Sequence, residues 1–283
     1  MGEHILHIPI DHIGIVGSNL ESMINAFAKL GFHTTGVTSL DLGDTNDQPA
    51  SQNAHFVFNF GYMELIASKG TDHLADYVQK YEGMHILAMA SGQAQASFEI
   101  FKRNGLDPGK VFLSTRYAAH GERTGTAAFE WFGFNEQTFP EGLVCVVQHH
   151  TPELIYQPKR IVQPNGVYGL VEVLLLVNDL DEAIERYAQM SYVNCQVNPL
   201  KDTPTWCEKL TILNTDGIRL RFPGLVTKAS TGFLGIVLAV NDLGLVKDIL
   251  RTSGVVFHLG LQGDVWVQPN DAAGCLVVFR ELG

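Results

Sequence analysis

Two histidines stand at matching places in this chain: His12 in D-H-I-G-I-V (residues 11–16) and His85 in M-H-I-L-A (residues 84–88), each just before an apolar run. Side chains at equivalent positions of paired repeats can converge on one point, and imidazoles so placed suit a metal ion held between two pseudo-symmetric sheets. Glu64 stands among apolar neighbours in Tyr62-Met63-Glu64-Leu65-Ile66. A carboxylate in such a strand needs a partner or a metal, because burying it alone is costly. The stretch Val146-Val147-Gln148-His149-His150 offers three further donors. Strand alternation sends Gln148 and His150 to one face and His149 to the other, so only one of these sets can enter a shared cleft. His55, Glu64, Glu130, His149 and His150 have the chemistry for general acid–base work. Tyr62, with Phe56, Phe58, Phe60, Phe129, Trp131 and Phe132, divides between core packing and the wall of an apolar pocket. His120, Glu122 and Arg123 share a Gly-containing loop that reads as solvated surface.

These residues are positioned by a repeat. The tetrapeptide V-N-D-L occurs at Val177–Leu180 and again at Val240–Leu243, and Gly17-Ser18-Asn19-Leu20 has the same layout. In each copy a short apolar run precedes the tetrapeptide and a helix-like segment follows it, with Asn or Asp as N-cap. The helices end near Gly31, Ser191 and Gly254. A weaker copy begins at His85, with a helix over residues 93–104 closed by Gly105. Apolar spacing such as Met23, Phe27 and Leu30 gives each helix one stripe for a sheet. Strand-like stretches follow each helix: 32–37, 54–60 and 62–67; 111–115, 126–134 and 143–149; 192–197, 209–213 and 218–222; 255–259, 264–268 and 275–281. Every unit therefore reads strand, helix, strand, strand, strand, and the expected class is α+β. Pro152, Pro158, Pro164 and Gly166 mark a boundary between units two and three. The expected division is a first domain over 1–152, a Pro-rich linker over 153–164 and a second domain over 165–283.

With 283 residues, 46% of them apolar and 17% charged, the chain has ample material for a core. Thirty acidic against nineteen basic side chains leave a formal charge of −11, which argues against a nucleic-acid partner. No apolar stretch is long enough to span a membrane, and the N-terminus lacks the pattern of a signal peptide. The four scattered cysteines indicate neither a zinc knuckle nor a disulfide framework, so a cytoplasmic location is expected.

The layout of four units, with D-H-I-G-I-V opening the first, Y-M-E-L-I closing it and M-H-I-L-A opening the second, resembles the vicinal oxygen chelate superfamily. Its glyoxalase-like branch is similar also over Asn53–Ala67 and Gln148–Glu153. The resemblance implies four βαβββ modules paired into two glyoxalase-like domains, with a divalent metal (Zn, Ni, Mn or Fe(II)) held on first and last strands of paired modules. Carried over residue by residue, it implies His12, Glu64 and His85 as ligands. The fourth place, usually Glu, falls to Gln148, with His149 next. It further implies a small oxygen-rich substrate near Tyr62, His55 and His150, with Glu64 and His149 moving protons. Isomerase or lyase chemistry comes first, ring-cleaving dioxygenase chemistry second, and metal-free sequestration as in bleomycin-resistance proteins is the competing class. The second domain has Glu172 and Gly235 at the places equivalent to His12 and arginines opposite Glu64. It reads as a degenerate copy that supports folding, covers the site or mediates a homodimer.

Overall fold

The computed structural model describes residues 2–40, 51–70, 74–118, 121–193 and 207–282. Its elements run β1 (Glu3–Gly17), α1 (Leu20–Lys29), β2 (Thr38–Leu40), β3 (Ser51–Val57), β4 (Tyr62–Ala67), α2 (Ala75–Lys80), β5 (Gly83–Ala90), α3 (Ala94–Arg103), β6 (Phe112–Ala118), β7 (Gly125–Gly133) and β8 (Leu143–His149) in the first half. The second half contains β9 (Val167–Leu176), α4 (Leu180–Ala188), β10 (Cys207–Leu213), α5 (Thr215–Arg221), β11 (Gly232–Val240), α6 (Leu243–Thr252), β12 (Phe257–Leu259), β13 (Val265–Val267) and β14 (Leu276–Glu281). The fold is α+β, and no helix among the described residues is long and apolar enough to cross a membrane.

The repeat tetrapeptides act as helix starts. Asn19, Asp179 and Asp242 each accept a backbone N–H of the following turn on their side chain. Gly31, Gly105 and Gly254 take positive φ just after α1, α3 and α6, the left-handed C-terminal stop that glycine adopts without strain. Each amphipathic helix then lays its apolar stripe on a sheet, as Met23 and Phe27 of α1 do.

Modules one and two share one topology. In the first, β1 pairs in parallel with β4, β4 with β3, and β3 with β2; in the second, β5 pairs with β8, β8 with β7, and β7 with β6. Antiparallel pairing of β1 with β5 joins them into a cup. The fourth module repeats this with β11, β14, β13 and β12.

The third module departs from the expected pattern. Residues 218–222 are not a strand: Ile218 and its neighbours form α5, started by Asn214, whose side chain accepts from Gly217 N. Of the expected strand over 192–197, Tyr192 and Val193 lie in a 3-10 turn, and the rest falls outside the described residues. Residues 32–37 also form no strand; β2 begins at Thr38. Within the segment expected as a linker, Ile155, Gln157 and Gln163 are buried, and just beyond it buried Asn165 donates to Leu30 O.

Strand β1 is fifteen residues long and serves both halves. Its first part, Glu3–Ile10, pairs with β10, whereas its second part carries the first cup.

Candidate functional site

The register of β1 breaks between Ile10 and His12 against β5, and Asp11 has no partner there. Alternation would send Asp11 and His12 to opposite faces. A bulge lets consecutive side chains meet, and here Asp11 Oδ2 lies 2.7 Å from His12 Nδ1. The same oxygen lies 3.0 Å from His149 Nε2 at the end of β8. Asp11, His12 and His149 thus offer ligand atoms all within 4.8 Å of one another.

Across the β1–β4 ladder His12 stands opposite Tyr62 and Gly14 opposite Glu64, so Tyr62 and Glu64 share the cup face with His12. The His12 and Tyr62 rings stack at 4.3 Å. His12 Nε2 points toward Glu64 Oε2 at 3.9 Å. One strand further, His55 faces Glu64, with Nε2 3.3 Å from Oε1, and Asn53 donates to the same oxygen at 2.6 Å. Arg116 of β6 closes the row, its guanidinium against the His55 ring.

His12, His55, Tyr62, Glu64, Arg116 and His149 line a cavity of about 60 Å³, room for more than one water-sized group. A second cavity of about 80 Å³ adjoins it and also touches His12 and Glu64, but is otherwise lined chiefly by Ile66, Ile86, Phe129, Trp131, Leu143 and Cys145. The cup is therefore chiefly polar on the module-one side and chiefly apolar on the module-two side, where His149 and Arg116 are the polar exceptions.

The charges follow from the neighbours. Burial alone would raise the Asp11 carboxyl, but the His149 charge and hydrogen bonds from both histidines hold it far below the ordinary carboxylate range. Glu64 would likewise be raised by burial, and His55, His12 and Arg116 bring it down to about 2. Burial, then the Arg116 charge, lowers His55 to about 4, so its imidazole is neutral at neutral pH. Burial pushes the Tyr62 hydroxyl well up and the Cys145 thiol up to about 12. Two ionised carboxylates thus share the cup with one guanidinium.

Of the residues expected at the site, His12, His55, Tyr62, Glu64 and His149 come together; His85, Gln148 and His150 do not. His85 sits at a register shift in which Gly14 faces Ile86 and Ile15 faces Met84. It packs between Tyr77 and Tyr81, with Nε2 2.8 Å from Tyr81 O, while its neighbour Ile86 takes the cup position. Gln148 points to the outer face, where its Oε1 accepts from Ala94 N at the start of α3. His150 lies 3.7 Å from Glu130 on that face and is half exposed. Alternation had separated these residues from His149; the cup admits the His149 side. Asp11, Asn53 and Arg116 were not anticipated. The D-H pair beginning the first apolar run was the one available sign of Asp11, and strict alternation argued against it.

The donor set fits a divalent cation. Among the described residues Asp11 Oδ1 and His149 Nδ1 are buried with no hydrogen-bond partner, and oxygen and imidazole donors of this kind suit Zn, Ni, Mn and Fe(II). His12 and Glu64 would hold such an ion, with Asp11 and His149 beside them.

A glyoxalase-like domain model matches residues 10–191, and the chain belongs to that family. No curated protein matches it. Among solved structures it is similar to a hypothetical protein from Staphylococcus aureus, with TM-score 0.62 and 9% identity over 96% of this chain and 99% of that one. It is also similar to a xylose isomerase-like TIM barrel/4-hydroxyphenylpyruvate dioxygenase fusion protein, with TM-score 0.53 and 12% identity; all of this chain spans half of that one. A Streptomyces coelicolor methylmalonyl-CoA epimerase aligns with 51% of this chain and 99% of its own, at 17% identity and TM-score 0.38.

Proposed function

We propose that this chain is a divalent-metal-dependent enzyme of the glyoxalase-like type, performing isomerase or lyase chemistry on a small oxygen-rich molecule in the first cup. The observation that carries this reading is the chain Asp11–His12–Glu64, in which a buried carboxylate fixes one imidazole nitrogen and turns the other toward a second carboxylate. A carboxylate on the far nitrogen is the usual support of a metal-ligating histidine. A divalent ion held by His12 and Glu64 would supply Lewis-acid polarisation of a carbonyl.

The remaining work falls to the chain's own groups. Asp11 accepts from His12 Nδ1, which leaves Nε2 as the donor atom facing the cavity. Asn53 orients Glu64. A carboxylate held near 2 is a weak base, so Glu64 contributes charge more than proton transfer. His149, whose Nδ1 is buried without a partner among the described residues, is assigned the proton-moving role. Tyr62 packs His12 in place and borders the substrate. Residues 1–152 would carry the site, 153–164 the connection and 165–283 the support, in a cytoplasmic homodimer.

Elemental analysis of protein purified without chelators or a His-tag tests the reading. About one divalent ion per chain is expected, lost in His12→Ala and Glu64→Gln and kept in His85→Ala. A metal-free protein that also refuses Zn, Ni, Mn and Fe(II) overturns it. Substrate panels under air and under nitrogen then separate isomerase or lyase turnover from dioxygenase turnover. A non-catalytic binder is the second reading, favoured by Ile86 and Cys145 standing on the module-two strands where the repeat would place two more ligands.

A further inference from the structure

Arg116 is only partly exposed, lines the polar cavity and has no carboxylate within 4 Å among the described residues. Among the described residues its side-chain partner is the His55 ring, with Nη1 3.0 Å from Nδ1. A guanidinium carries five N–H donors, and a neutral imidazole accepts one. Three other withdrawn arginines do close on carboxylates. Arg221 and Arg280 close on Glu172, and Arg186 closes on Glu141. Glu64 shares the cavity with Arg116, but His55 bonds both, 3.3 Å from the carboxylate.

Two further polar atoms nearby have no hydrogen-bond partner among the described residues. The Tyr156 hydroxyl is buried and unbonded, on a ring packed edge-on against Tyr62, and Arg160 Nε is buried and unbonded as well. Burial and the Arg116 charge both lower the Arg160 guanidinium from its usual range, which places the two cations within electrostatic reach. The cavity is thus lined by His12, His55, His149 and Glu64 on one side and by the Arg116 guanidinium on the other, with Tyr156 beyond the Tyr62 ring.

We propose that the natural ligand of this cavity is a small carboxylate, its anionic group on Arg116 and its neighbouring carbonyl or hydroxyl oxygen toward His12 and Glu64. The assignment rests on the functional reading above for the second contact, and on Arg116 alone for the first. The adjoining apolar space between Phe129, Trp131 and Ile86 fits a short hydrocarbon tail, so the class is a 2-oxo or 2-hydroxy acid with such a tail. Bidentate pairing of a guanidinium with a carboxylate supplies both attraction and orientation.

The test is calorimetric titration of the full chain, treated with chelator, with 2-oxobutyrate and with its neutral amide, 2-oxobutanamide. Chelator removes metal coordination as a source of any preference, so this measurement and the metal analysis fail independently. The acid is expected to bind on the order of tenfold tighter than the amide. Arg116→Gln should abolish that preference and Arg116→Lys should keep part of it. Equal affinities in the unaltered protein, no binding of either compound, or a preference that survives Arg116→Gln each overturn the proposal. The wild-type comparison decides even where a variant fails to fold.

Discussion

On β1 His12 stands opposite Ala88 of β5; on β9 Glu172 stands opposite Val237 of β11, at the corresponding step of the ladder. The parallel partners correspond too: Glu64 lies one residue beyond Met63, which faces Ile13, and Thr211 one residue beyond Leu210, which faces Val173. In the second half this position is saturated. Wholly buried Glu172 accepts from Thr211 at 2.6 Å, from Arg221 at 2.7 and 3.1 Å and from Arg280 at 3.2 Å, with Lys209 3.2 Å away. The cup beside it is filled by α5 and its C-cap, whose Ile218 and Phe222 join an apolar cluster with Trp266, Leu174 and Val237. In the first half the same position keeps buried polar atoms without partners and an open cavity. A buried charge with every bond made is structure; one with bonds to spare is prepared for a ligand.

That contrast can be broken most forcefully through the plug. Phe222 is almost fully buried, with its ring 5.7 Å from Trp266. Phe222→Ala should cost about 3–5 kcal/mol of stability, read from the urea midpoint, and leave metal content unchanged. Metal loss in this variant would show that the halves are not separate in role.

Glu172 gives a somewhat smaller effect with a pH signature. Burial alone would raise its carboxyl, but Arg221, Thr211 and Lys209 bring it down to about 2 from an unfolded value near 4.5. A depressed carboxylate contributes its stabilisation above the unfolded value and loses it as pH falls toward the folded one. The contribution is about 3 kcal/mol, on the order of the shift times 1.36 kcal/mol per unit. Glu172→Gln should therefore lower the urea midpoint at neutral pH, with the difference from wild type shrinking below about 4.5. A pH-independent difference would remove the ion cluster from the account.

The smallest expected effect sharpens the comparison from the other side. Asp11→Asn removes the charge that orients His12 and His149, and should weaken metal binding by about 10–100-fold. Competition with a chromophoric chelator measures it. Unchanged affinity would leave Asp11 a structural residue like Glu172.

Much of this was legible in the residues, and the misses share a cause. Strands β4 and β8 follow their apolar runs to the residue, and the repeated Asn and Asp caps place α1, α4 and α6. Residues 218–222 read as a strand because Ile218, Leu220 and Phe222 alternate, yet Ile218 and Phe222 are also four apart. The structure buries that pair in α5 and leaves Leu220 72% exposed, so the helical period won. His85 and Asp11 were misjudged for one reason: irregularities in the β1–β5 register carry the first away from the cup and the second into it. Such slips depend on tertiary pairing and leave little trace in a single sequence. Gln148 against His149 turned on which face of β8 lines the cup, which alternation alone does not say.

Because β1 is split between two partners, the timing of synthesis enters. Glu3 pairs with Leu213 and Leu6 with Leu210, so the strand that carries Asp11 and His12 gains its second edge only after some two hundred further residues have been translated. At about 5–20 residues per second that is roughly 10–40 s on the ribosome. During this interval the first cup can pair β1 with β4 and β5, while the leading part of β1 stays an open edge able to join a neighbouring nascent chain. His4 and His7, which lie on that leading part, and the nearby Glu3 supply the polar side chains that blunt such an edge until β10 arrives.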